Sequence, residues 1–283
     1  MRFEVRYTYF FLVVGFISSC QRELNVDTKI NKNSCPSSLL VKVITKTVSD
    51  SIITEMEYDA NGRLSRQFST YINHPEFISS DWRINRSSSG IITQMITTTT
   101  KTQATFADTV NVFYDSNLKR YTHTIQRFDL AGYITKDSIV LIYDAANKLI
   151  GRHIYLHHFA PGPYYTLDTK YEYSFNSDGN LLKQTSYDRD QVTNVIELRA
   201  TVEFTYDNKK RQRHLDPKDG IILSYPYDAS HNVTSEKITD FKQSIYSGTY
   251  NYQFTYTDCD WPATMVATFS GGNYYRKLYY YYK

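Results

Sequence analysis

Glycine and proline are scarce, 11 and 7 in 283 residues. That scarcity argues against a disordered chain or a low-complexity fibre. An excess of one charge is lacking too. The formal net charge is +3, and the first 19 residues hold Arg2, Glu4 and Arg6. Without them 30 basic and 28 acidic residues remain, a balance of +2. So even a balance gives no footprint for nucleic acid or for an acidic membrane face. Alternation of Tyr with Lys could imitate a single-strand stacking platform, but it reads more simply as solvated strand faces. No stretch sustains a helical period. There is no Gly-x-Ser-x-Gly, no His-Glu-x-x-His, no phosphate loop and no Cys-His pair at useful spacing. A two-carboxylate hydrolase leaves no such signature and stays open as an alternative.

What is abundant is tyrosine, 27 residues, within an aromatic content of 16%. With Thr, Val, Ile and Phe this is the strand-forming set. One phrase recurs: Tyr58-Asp59-Ala60-Asn61-Gly62-Arg63-Leu64. Tyr143 to Leu149, Phe175 to Leu181 and Phe128 to Ile134 repeat it, and Tyr227 to Val233 does so with its Asn one place late. Weaker copies start at Arg86, Tyr114, Tyr206 and Tyr256. The aromatic closes an incoming strand, and Asp or Asn bonds backbone N–H groups two residues on. Gly or Asn takes the left-handed conformation that costs other residues roughly 1–2 kcal/mol. The aliphatic restarts an apolar face. Starts at 58, 86, 114, 143, 175, 206, 227 and 256 give steps of 28, 28, 29, 32, 31, 21 and 29. A step near 29 holds two strands and two turns, the mark of a repeat array.

The strands between these phrases alternate. Val110, Val112 and Tyr114 share a face, as do Ile139, Leu141 and Tyr143. Tyr171, Tyr173 and Phe175, then Val202, Phe204 and Tyr206, then Tyr252, Phe254 and Tyr256 follow suit. Short turns between sequential strands predict an all-β, up-and-down antiparallel meander of about sixteen to eighteen strands. Since open sheets beyond ~10 strands curl or split, the expected form is a strongly twisted, curled open sheet or an incomplete barrel.

The Tyr-Asp phrases resemble the YD-type repeats of Rhs-like proteins over most of residues 50–283, with less glycine and less uniform spacing. The closer likeness is to small bacterial cell-envelope lipoproteins with degenerate YD-like repeats and no assigned activity. The resemblance implies extended antiparallel sheet and brings no catalytic residues.

The N-terminus reads as an address. Arg2 and Arg6 precede an apolar run over residues 7–17, too short for a span of ~20 residues, and small residues follow. That is a secretory signal. Ile17-Ser18-Ser19-Cys20 also resembles the lipobox of bacterial lipoproteins, which implies cleavage before Cys20 and its lipidation. The expected organisation is a signal peptide at 1–19, a polar tether at 20–37 and one YD-repeat-like β domain at 38–283. In an oxidising compartment Cys35 and Cys259 could pair and join the ends of the array.

Candidate sites are sparse. His153 and His157 would stand ~13 Å apart along one strand, too far to share a metal, and His158 points the other way. Residues 176–180 and 216–220 lack the spacing and closing Glu of a calcium loop. No metal or cofactor is expected. Trp82, Tyr164, Tyr165, Trp261 and the run Tyr279 to Tyr282 could stack on sugar rings or anchor a protein, or form an aromatic core. The leading expectation is a non-enzymatic, lipid-anchored envelope protein, at the outer membrane, that binds a glycan or an envelope protein. The alternatives are an envelope glycoside-type hydrolase and a transmembrane β-barrel, the latter favoured by alternating strands and the aromatic C-terminus.

Overall fold

In a computed structural model, the described residues are 39–47, 50–74, 76–130, 133–158, 164–190, 192–210, 231–270 and 275–282. Sixteen strands follow one another: β1 Leu40–Thr47, β2 Ser51–Tyr58, β3 Leu64–Ile72, β4 Phe77–Arg86, β5 Ile92–Lys101, β6 Thr105–Asp115, β7 Arg120–Leu130 and β8 Tyr133–Tyr143. Then come β9 Leu149–His158, β10 Tyr164–Phe175, β11 Leu181–Arg189, β12 Ile196–Lys210, β13 His231–Asp240, β14 Gly248–Tyr256, β15 Pro262–Phe269 and β16 Tyr275–Tyr282. A single turn of 3-10 helix, Ser244–Tyr246, joins β13 to β14. Each strand pairs with its sequence neighbours, and β1 pairs antiparallel with β16, so the sheet is a closed barrel.

The turn chemistry is that of the repeat. Gly62, Gly90, Asn147, Gly179 and Asp260, the fifth residues of their phrases, all have positive φ. In each, the N–H of the fifth residue donates to the carbonyl of the second, at 2.9–3.1 Å. The N–H of the second donates to the carbonyl of the sixth, at 2.8–2.9 Å. Side chains complete the pattern: Asp59 Oδ1 accepts from the N–H groups of Asn61 and Arg63, and Asn176 Oδ1 from those of Asp178 and Asn180. Ser87 and Thr257 accept in the same way through their hydroxyls. The register then shifts at the aromatic, giving Tyr58↔Leu64, Tyr143↔Leu149 and Phe175↔Leu181. The phrase therefore encodes a tight turn plus a β-bulge, which strengthens strand twist and helps a sheet curl. All these turns lie at one end of the barrel, the motif end, where β1 starts and β16 finishes.

Two expectations are corrected. The sheet is neither open nor an incomplete barrel. Closure leaves no bare edge, and an edge of unpaired N–H and C=O groups is what a long meander must otherwise hide. The Phe128 phrase does reverse the chain, but by a tighter connection than the template: Leu130 pairs with Tyr133, and Phe128 and Asp129 stay in the ladder opposite Thr135 and Ile134 of β8. Tyr206 and Asp207 lie inside β12, which runs on to Lys210. The Tyr227 phrase falls mostly outside the described residues.

Backbone geometry sets a testable contrast. Nothing lies within 4 Å of a Cβ placed on Gly62, whose φ is +73°, whereas one on Gly151 would sit 2.4 Å from the carbonyl oxygen of Tyr171. Gly62→Ala should cost about 1 kcal/mol from backbone strain alone. Gly151→Ala should cost more, on the order of 2 kcal/mol or above, because backbone must move. Urea midpoints of the two variants check the order.

Candidate functional site

Cross-strand partners share a face, so the register sorts strand residues onto two walls. Val43, Ile52, Leu64, Ile84, Met95, Val112, Ile139, Leu141, Tyr173, Phe204, Met265 and Leu278 are buried. Their pairings place all of them on one wall. Only the concave side of a closed sheet can cover side chains this well, so this wall is the lumen.

The lumen has two halves. Toward the motif end, Leu64, Ile84, Ile92, Val112, Tyr121, Leu149, Tyr173, Leu181 and Phe204 form one apolar cluster, with Tyr58, Tyr114, Tyr143, Phe175 and Tyr206 packed against it. Tyrosine serves because its ring fills the space while its hydroxyl reaches a backbone partner. Tyr58 donates to the carbonyl of Leu40 at 2.6 Å, Tyr206 to that of Leu181 at 2.7 Å and Tyr282 to that of Pro262 at 2.9 Å. Tyr121 accepts from the N–H of Ile92 at 3.1 Å. Burial pushes the Tyr58 phenol up to about 12. Tyr256 bonds the carboxylate of Asp207.

Toward the far end the same wall turns polar and acidic. The register puts Asp108, Asp137, Asp188, Glu236 and Asp240 on the lumen face, with Asp168 at a bulge of β10 beside them. Burial, then repulsion from Asp168, pushes Asp137 up to about 6. Burial also raises Asp108. For Asp188, Arg199 opposes the rise; for Glu236, a bond from Tyr252 and the charge of Arg276 do so. Arg199 pairs with Asp240 at 2.8 Å. Chemically, this half of the lumen can hold protons or positive charge.

The outer wall is different. Lys42 meets Glu55 at 3.5 Å; Arg66 holds Asp81 at 2.7 Å and Glu57 at 3.1 Å; Lys170 meets Glu172 at 2.6 Å. These pairs sit in mid-strand and face away from the lumen. The side chains of β14 there are Thr249, Asn251, Gln253 and Thr255. A shallow concavity on this wall is lined by His123, Ile125, Ser138, Val140 and Tyr155.

The residues singled out from sequence scatter. Trp82 is on the lumen wall, packed against the apolar cluster. Trp261 lies in the β14–β15 turn with its ring 5.2 Å from that of Tyr282. Tyr164 and Tyr165 begin β10, opposite His158 and His157; their side chains are outside the description. Of the described ones, the structure thus brings Trp261 together with Tyr282 and places Trp82 against the apolar cluster instead. In the C-terminal run Tyr280 and Tyr282 face the lumen and Tyr279 and Tyr281 face out. His153 is on the outer wall, 6.4 Å from the Tyr155 ring. Cys259 is disulfide-bonded; Cys20 and Cys35 lie outside the described residues. Among the described residues no His, Cys, Asp and Glu group is placed to hold a metal. The lumen acids were missed, although their signal was available: Asp108, Val110 and Val112, like Asp137, Ile139 and Leu141, share one parity.

A closed, sixteen-stranded, antiparallel meander places the chain among the up-and-down β-barrels. It is similar to the crystal structure of a porin-like protein from Bacteroides uniformis ATCC 8492, with a TM-score of 0.52 and 13% identity over 88% of this chain and 98% of that one. It is similar also to a porin-like protein from Bacteroides vulgatus ATCC 8482, with a TM-score of 0.54 and 10% identity over 87% and 98%. At such identity the likeness is one of fold. No family model and no curated protein matches the chain.

Two outcomes are expected. Leu181→Ala, at a fully buried site, should lower stability by about 2–5 kcal/mol. The fold favours the protonated form of Asp137, so the stability this group contributes is complete below its ordinary value of 3.8 and is lost as pH rises to about 6. Asp137→Asn should therefore raise the melting temperature above pH 6, by about 1 kcal/mol equivalent after allowance for partial exposure. The gain should vanish near pH 4. Thermal melts at the two pH values check this.

Proposed function

We propose that the chain is a non-enzymatic barrel of the bacterial cell envelope, with porin-like architecture, whose lumen is its working surface. Sheet closure and the two porin-like neighbours support the β-barrel reading over that of an open-sheet scaffold. Nothing among the described residues supports the hydrolase.

The observation that carries the reading is the division of side chains between the two walls. A membrane-spanning barrel turns a continuous apolar belt ~25 Å tall to the lipid, and Lys or Arg at mid-depth costs ~2–4 kcal/mol each. Here the outward mid-strand positions carry Lys42, Glu55, Arg66, Asp81, Arg83, Glu203 and Lys237. The wall is built to stand in water. Attachment to the membrane then falls to the N-terminal segment, through lipidated Cys20. The kinship with YD-repeat envelope lipoproteins belongs to the same reading and rests on the shared turn chemistry. The lumen suits a ligand with an apolar body and a positive group, since its apolar and acidic halves meet at mid-barrel.

A channel across the membrane is the second reading, favoured by the strand number, since barrels of 16–18 strands leave room for an aqueous pore. Purification decides between the two. Residues 21–283 contain every strand of the barrel and should be monodisperse in buffer without detergent, and should give no conductance in planar bilayers. Aggregation relieved only by detergent, with stepwise conductance, would overturn the water-facing wall.

A further inference from the structure

Of the thirteen large hydrophobic side chains that stand exposed among the described residues, six belong to two adjacent hairpins at the far rim. Val192 and Val195 are in the β11–β12 turn and Leu198 follows it; Phe241, Ile245 and Tyr246 are in the β13–β14 turn. Val192 is 94% exposed and Ile245 79%. At these exposures both side chains stand out from the surface as tips.

The tips are braced by local hydrogen bonds. Asp190 Oδ1 accepts from the N–H groups of Val192 and Thr193 and from the Thr193 hydroxyl, and Asn194 takes a φ of +62°. Asp240 Oδ1 accepts from the N–H groups of Lys242 and Gln243. The two turns are tied to each other as well. Lys242 Nζ lies 2.9 Å from Glu197 and 3.8 Å from Asp190, and the N–H of Phe241 donates to the carbonyl of Arg199 at 2.9 Å. Folding alone does not select apolar side chains at the apex of an ordered turn, where polar ones would be more soluble.

We infer that this rim is a membrane-contact surface, which inserts Val192, Phe241, Ile245 and Tyr246 into the interfacial layer of a lipid bilayer. Convex tips exposed on all sides need a partner that moulds around them, and a fluid bilayer does so without a matching pocket. Aromatic and aliphatic side chains together suit the boundary between headgroup and acyl chain. The local charges are already paired among themselves, so binding should not require anionic lipid. The reach also fits. With Cys20 lipidated, the bond of Cys259 falls to Cys35, and the fifteen residues from Cys20 can extend to about 50 Å. A ten-residue strand is only ~33 Å long. An anchor attached at the motif end can therefore let the far rim touch the same membrane. This rests on the proposed water-facing wall, and it adds a second, weaker membrane contact that sets the barrel's orientation.

Residues 21–283, which lack the signal segment and the lipidation site but retain all sixteen strands, should cosediment with phosphatidylcholine vesicles. The double variant Val192→Asp, Ile245→Asp should lose roughly tenfold or more in partitioning, with its near-ultraviolet spectrum and melting temperature unchanged. Tyr246→Trp supplies a folded reporter whose emission should shift to the blue on adding vesicles. No cosedimentation of the parent chain, or equal binding by the double variant, overturns the inference. So does concentration-dependent dimerisation that the double variant abolishes, since the rim would then cover a second copy. Failure of detergent-free solubility would instead overturn the water-facing wall, so the two readings fail separately.

Discussion

A sheet of sixteen strands has two edges, and the molecule depends on joining them. The ladder between β1 and β16 pairs Val43 with Tyr280, Thr45 with Leu278 and Thr47 with Arg276. Without it, two rows of backbone donors and acceptors would face solvent or other chains. With it, the sheet has an inside. A face that is half-wet in an open meander becomes a lumen that can cover tyrosine rings. Burial of the aromatic wall is thus a consequence of closure.

Closure also explains why the two walls can be so unlike. Strand alternation offers each side chain one of two destinations. The motif places its aromatic and its aliphatic on the same parity at every turn, so each hairpin delivers apolar groups to the same side. Bulges at those turns keep that parity aligned while adding twist. At the motif end the lumen is filled with rings and aliphatic chains. At the far end the turns differ in length and chemistry, and the lumen opens into carboxylates. Porin-like proteins supply the architectural comparison; the outer wall here carries ion pairs such as Lys42 with Glu55 and Arg66 with Asp81.

The far end is where the chain departs from its own repeat, and where its acids and exposed apolar tips gather. The acids of β6, β8, β10 and β11 and the apolar tips beyond β11 and β13 all lie there. A repeat that only builds structure needs its motif end. Variation is tolerated at the opposite turns, as it is for loops generally. The polar lumen mouth and the protruding rim set this end apart from the motif end.

Much of this was legible in the residues alone. Gly62, Asn147 and Gly179 have positive φ where the phrase demanded it. The faces carrying Tyr171 with Tyr173, and Tyr252 with Phe254, are the buried ones. Such features depend on a few neighbouring side chains, and local chemistry decides them. Tyr206-Asp207 shows the limit: it has the start of the phrase yet continues a strand, because ladder pairing with β13 outweighs a weak turn preference. Closure was not legible, since Val43 and Tyr280 meet across almost the whole chain and no local signal marks either as the other's partner. The lumen's acidity was only half legible: Asp108 and Asp137 share a parity with Val110, Val112, Ile139 and Leu141, but the curvature of the sheet decides that this side is the inside. The sequence by itself determined the turns, the strands and their two-sidedness. The tertiary structure decided which side became the interior, because only the joining of the two edges bends the sheet enough to enclose one face.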